Sequence, residues 1–143
     1  MLTVTLATTA VALPTGLAVT IIVLRLVVAI VFVGMGISHF IPVTSRGMAA
    51  MIPPRMRREG ILSPRNLVGF TGVCEIVGGL GLLFPPTRIV AGIALVVFLA
   101  AVFPANAYAA TRPEKFGALA VPFAPRLVAQ IVLAAVVLVV AFL

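Results

Sequence analysis

Between Leu67 and Phe84 the chain reads LVGFTGVCEIVGGLGLLF, eighteen residues that are apolar or small except for one carboxylate, Glu75. A helix of that length rises about 27 Å, close to the hydrocarbon thickness of a bilayer, which sets Glu75 near the midplane. A charge there costs roughly 2.5 to 3.5 kcal/mol on insertion scales, so such groups face protein or a wet cavity and are either paired or neutral. Glu75 is therefore the leading candidate for a functional residue, with a role in packing as the alternative. Gly72 and Gly79 lie three residues before it and four after it, with Gly69 and Gly78 adjoining. These positions share a helical face, and small residues there let a neighbouring backbone approach closely.

The rest of the composition puts that stretch in a membrane. Of 143 residues, 63% are hydrophobic and only 9% charged, too few charges to disperse a soluble domain of this size. The expected architecture is all-α, one membrane domain over residues 1–143 forming a transmembrane four-helix bundle. Its spans are placed at 17–40, 67–84, 88–110 and 126–143. In the first span Arg25, Phe32 and His39 follow one another at heptad spacing, share a face and should look inward. Residues 1–15 carry no charged side chain, so they read as an uncleaved leader into that span rather than a secretory signal. Pro42, Pro53, Pro54 and Pro64 rule out one continuous helix over the basic loop 41–66, although residues 43–52 can lie in the interface as a short amphipathic turn. Pro85-Pro86 makes a tight turn with Thr87 positioned to cap the third span, and Pro104 is expected to kink that span rather than end it.

Charge orients the spans. Segments 41–66 and 104–126 hold eight of the ten basic residues, while Arg25 and Arg88 lie toward the other side. The positive-inside rule places both segments in the cytoplasm and both termini outside the cell membrane. Because arginine between apolar spans is the ordinary signature of topology, the net charge of +7 does not argue for nucleic acid as a partner. Cys74 is the only cysteine and His39 the only histidine. The chain alone therefore has no disulfide or Cys-x-x-Cys pair, and it cannot supply two histidine ligands to a haem or metal; no metal site is expected.

Antiparallel spans bring His39, Asn106 and Gln130 toward the cytoplasmic end, with Glu75 about 13 Å deeper by rise counting. Arg25 enters from the outer half. Together these five define a candidate polar pocket, and Gly72 and Gly79 its packing seam. Glu75 either pairs with Arg25 and stays ionised, or reaches His39 through water and can exchange protons. Each residue also has a plainer role: His39 can bond a free helix-end carbonyl, and Asn106 and Gln130 can join helices by hydrogen bonds.

Several short motifs resemble a known family. Gly36-Ile37-Ser38-His39-Phe40 with Pro42, then Met51-Ile52-Pro53-Pro54, then Glu75-Ile76-Val77-Gly78-Gly79, then Phe103-Pro104-Ala105-Asn106 are similar to motifs of the DoxX-like family of small four-helix membrane proteins. The resemblance covers roughly residues 20 to 142 and carries over His39, Glu75 and Asn106 as motif residues; Arg25 and Gln130 come from the reading of the helices. It implies a four-span fold and a link to quinone-dependent oxidoreductases. The expectation is an accessory subunit of a quinone-linked membrane oxidoreductase, with no independent catalytic motif and quinone as the candidate cofactor. The main alternative is a non-enzymatic membrane scaffold or assembly factor, and a small-solute carrier is a third reading. Expected partners are membrane lipids and either other membrane subunits or further copies of the chain.

Overall fold

A computed structural model describes residues 14–143 and is entirely helical, with no β-strand among the described residues. The expected leader over 1–15 lies almost wholly outside them. Four long helices, α1 (Thr15–Ser38), α3 (Pro64–Gly81), α4 (Arg88–Ala110) and α6 (Phe123–Phe142), make up most of the chain. The short α2 (Pro42–Met51) follows α1, and a four-residue α5 (Pro113–Phe116) precedes α6. In space α1 packs on α3, α3 on α4, α4 on α6 and α6 back on α1.

Three helical stretches are long and apolar enough to cross a membrane: Thr15–Ser38, Arg88–Ala110 and Pro113–Phe142. The α3 helix falls outside that group because its bounds differ from the apolar run 67–84. It begins at Pro64, so Arg65 and Asn66 enter its first turn, and it ends at Gly81. Pro64 stands at the first helical position, where its fixed φ favours a start. At the far end Pro85 disfavours helical backbone at Phe84. The third helix has the bounds read from the sequence and runs through Pro104 to Ala110. The first and last begin two and three residues earlier than expected.

The core is apolar, as in a water-soluble protein, but the surface is apolar too. Val28, Phe32, Leu82, Leu95, Leu99, Val137, Val140 and Ala141 form the central apolar cluster. Outside it, every long helix presents more apolar surface, including Ile30 at 70% exposure and Val90 at 70%. On α3 the exposed residues Phe70, Val73, Val77 and Leu80, followed by Phe84, fall on one helical stripe. A contiguous apolar exterior of this extent would not stay dispersed in water and matches a lipid-facing surface.

The two basic segments come together at one end. Met51 from α2, Ala109 from α4 and Phe116 from α5 form a second buried cluster there, with Tyr108 packed against it. At the opposite end Thr87 acts otherwise than expected. Its hydroxyl makes no cap to α4 and instead donates to the carbonyls of Gly81 at 2.9 Å and Phe84 at 3.2 Å. The turn 82–87 folds back over the end of α3, where free carbonyls need donors, so the hydroxyl serves the preceding helix.

Candidate functional site

The site is built on the crossing of α1 and α3. A Cβ added at Gly36 would lie 2.6 Å from the Gly72 carbonyl oxygen, and one at Gly72 would lie 2.8 Å from the Gly36 carbonyl oxygen. Only two glycines let the backbones meet this closely. Further along, a Cβ at Gly79 would lie 3.1 Å from the Ala29 carbonyl oxygen and 3.1 Å from the Phe32 Cβ. Gly72 and Gly79 are thus the packing positions read from the sequence, and their partner is α1. Between them the same face of α3 carries Glu75.

Glu75 meets His39 directly. His39 Nε2 lies 3.1 Å from Glu75 Oε2, and these are the two buried polar side chains of the described residues. The approach is close but off the line that a hydrogen bond prefers, and Oε2 has no other polar partner. Cα–Cβ bonds tilt toward the N-terminus of a helix. At the end of α1 that tilt carries His39 deeper into the bundle; on antiparallel α3 it carries Glu75 the opposite way. The two side chains therefore lean together across the depth difference counted along the axes.

The other face of the imidazole fixes its proton. Nδ1 lies 2.9 Å from the Val68 carbonyl oxygen and 3.1 Å from the Thr71 hydroxyl oxygen. The Thr71 hydroxyl donates to that carbonyl at 2.8 Å. A carbonyl only accepts, so Nδ1 carries hydrogen and Nε2 is the variable position. A bare Nε2 facing a bare carboxylate would set two lone pairs against each other. A single proton between Nε2 and Oε2 would relieve that repulsion, as imidazole with carboxylic acid or as imidazolium with carboxylate, and either form would be neutral overall.

This pair borders a cavity of about 1480 Å³ opening between α3, α4 and α6. Its walls are largely apolar, with His39, Glu75, Asn106 and Gln130 all among the lining residues. Four of the five expected pocket residues are thereby brought together. Gln130 Nε2 donates to the Leu99 carbonyl at 2.7 Å, tying α6 to α4. Asn106 Oδ1 accepts a 2.6 Å hydrogen bond from Arg126 Nη2.

Arg25 is the exception. It does not line the cavity; its Nε donates to the Val140 carbonyl at 2.9 Å. Val140 lies in the last turn of α6, whose carbonyls lack helical donors, and a guanidinium is well suited to that negative end. The Cβ tilt also explains why it misses Glu75, because Arg25 leans toward the start of α1 and Glu75 toward the start of α3, in opposite directions. Arg126 and Thr71 are polar cavity residues that were not singled out in the sequence. Each stands four residues before one that was, Gln130 and Glu75 respectively, so helical spacing points to both.

A family model described as Domain of unknown function (DUF8561) matches residues 28–141. The match includes His39, Glu75, Asn106, Arg126 and Gln130 but not Arg25. No curated protein and no solved structure matches the chain.

Proposed function

The chain belongs to the DUF8561 family, and because that membership brings no activity with it, we propose a function from the cavity: a four-span, DoxX-like membrane protein that serves as an accessory subunit of a quinone-linked oxidoreductase. One observation carries this reading, namely a large apolar cavity onto which the His39–Glu75 pair and the polar residues Asn106, Arg126 and Gln130 converge. Apolar walls with few, well-placed polar groups suit a ligand with a long apolar part and a flat polar head. The exposed apolar stripe from Phe70 to Leu80 supports α3 as a fourth crossing, with Arg65 and Asn66 left at the interface.

The residues fit a quinone head. With Asn106 Oδ1 occupied by Arg126, Asn106 Nδ2 has no protein partner among the described residues and can donate to a carbonyl oxygen. Both nitrogens of His39 are engaged, so His39 acts as the positioning residue and Glu75 as the group that faces the ligand. A quinone bound there would supply two-electron redox chemistry, and the protein would supply a proton donor and acceptor beside it. The scaffold reading loses one support, since the glycine seam is filled by the chain's own α1; it then rests on the basic end alone.

The basic end is placed in the cytoplasm and both termini outside by the positive-inside rule. A C-terminal reporter that works only in the cytoplasm should be silent; activity would reverse the orientation. The functional test is mass spectrometry of protein purified gently from its own membrane, with Glu75→Gln alongside. Stoichiometric quinone that is lost in the variant is the expected result. Protein partners without quinone, unchanged in the variant, would favour the scaffold.

A further inference from the structure

A second, smaller cavity lies at the basic end, outside the site described above. It has a volume of about 540 Å³ and is lined by Pro53, Pro54, Arg55, Pro104, Ala107, Tyr108 and Arg112. Pro104 and Tyr108 lie four residues apart on one face of the last turns of α4, and Arg112 follows just past its end. The opposite wall is the Pro53-Pro54 corner, whose two fixed φ angles make it rigid.

The electrostatics of this cavity are one-sided. Two arginines line it, yet none of the chain's three acidic residues, Glu59, Glu75 and Glu114, does. Arg112 is held in place: it stacks over the Tyr108 ring with its Cζ 3.9 Å from the centroid. It also donates from Nη1 to the Tyr108 carbonyl at 3.1 Å and to the Thr111 hydroxyl at 2.7 Å. The carbonyl end of α4 accounts for a cation at Arg112. It does not account for Arg55, which comes from a separate segment and forms no hydrogen bond or salt bridge among the described residues. The Tyr108 hydroxyl likewise has no hydrogen-bond partner among them.

From this juxtaposition we propose that the cavity binds a phosphate-bearing anion between Arg55 and Arg112, with the Tyr108 hydroxyl as a further donor. Arginine forks match phosphate oxygens in geometry as well as charge. The volume suits a head group, and the position at the charged end of α4, beside the lipid-facing surface, suits an anionic phospholipid; basic pockets between helices at this level are typical lipid head-group sites. The proposal shares the membrane assignment of the chain but not the quinone reading, and its test involves no quinone.

The experiment is native mass spectrometry of the full chain in detergent with phosphatidylglycerol or phosphatidylcholine added. Wild type should retain one phosphatidylglycerol in preference to phosphatidylcholine, and Arg55→Gln should weaken retention at least tenfold. Arg58→Gln, which removes an equal charge from the same loop outside the cavity, should leave it unchanged. Arg112→Lys, which keeps charge but loses the fork, should fall between. Competition with inorganic phosphate separates the sources: displacement at equal affinity assigns the site to free phosphate, and resistance assigns it to the phospholipid. Equal retention of the two lipids, or equal losses in Arg55→Gln and Arg58→Gln, would overturn the proposal in favour of diffuse surface charge.

Discussion

The two faces of α3 are built on opposite principles. Toward α1 it is closed: Gly36 and Gly72 bring backbone against backbone with no room for a methyl group, and Gly79 continues the tight contact. Toward α4 and α6 it opens into a cavity of about 1480 Å³. Glu75 stands where the faces meet, held from the closed side by His39 and available to the open one. The difference teaches how one helix can serve stability and binding at once: the rigid face sets the geometry of the pair, and the open face leaves space for a ligand. Substitutions on the closed face should cost mainly folding, and substitutions on the open face should cost little stability.

That division can be broken most severely at Gly72. Gly72→Leu would drive its side chain into the Gly36 carbonyl and the His39 Cβ, each 2.8 Å from the added Cβ itself. Overpacking against backbone should destabilise by about 3 kcal/mol or more, read as loss of the folded species in thermal unfolding in detergent. A variant that unfolds like wild type would mean that the seam is not closed. Next, Glu75→Gln should leave unfolding nearly unchanged, because a glutamine amide can still donate to His39 Nε2. Ligand binding should nonetheless fall tenfold or more, in line with about 1.5–3 kcal/mol for a hydrogen bond to a charged group. If stability falls and binding does not, Glu75 belongs to the closed face only.

Smaller effects test the open face. Ala94 lines the cavity and is exposed, so Ala94→Leu should fill space at a stability cost of about 1 kcal/mol or less while reducing quinone binding severalfold. Co-purified quinone measured per mole of protein would check this; an unaltered ratio would place the ligand elsewhere. The mildest expected change is Gln130→Leu. It removes the 2.7 Å bond to the Leu99 carbonyl, and hydrogen bonds between membrane helices average about 0.6 kcal/mol. A loss several times larger would show that the α4–α6 side is as tightly constrained as the seam.

Most of the architecture was legible because apolar periodicity and proline placement act locally. The helix over 88–110 follows from its flanks, and the glycines around Glu75 announce a close helix contact by spacing alone. The α3 boundaries were less legible, since hydropathy favours Leu82 to Phe84 whereas proline geometry favours Pro64 as the start. For the site, residue type and face sufficed to gather His39, Glu75, Asn106 and Gln130. They did not identify Glu75's partner, because counting rise along the axes treats each side chain as a point at its Cα. Adding the tilt of Cβ toward the N-terminus separates the two options: it brings His39 toward Glu75 and moves Arg25 away. Arg126 was hidden for another reason, its charge being absorbed by the topology rule although it lies one turn before Gln130.

A single proton shared by His39 and Glu75 would have an electrical consequence. A membrane potential acts on a full charge crossing the bilayer with about 2.3 kcal/mol per 100 mV. With one proton between them the pair is neutral in both its forms, so the field would not pull on it as a whole. Moving its proton between atoms 3.1 Å apart spans about a tenth of a hydrocarbon core roughly 30 Å thick. The work involved is at most about 0.2 kcal/mol per 100 mV, which leaves the exchange between the two forms almost independent of membrane voltage.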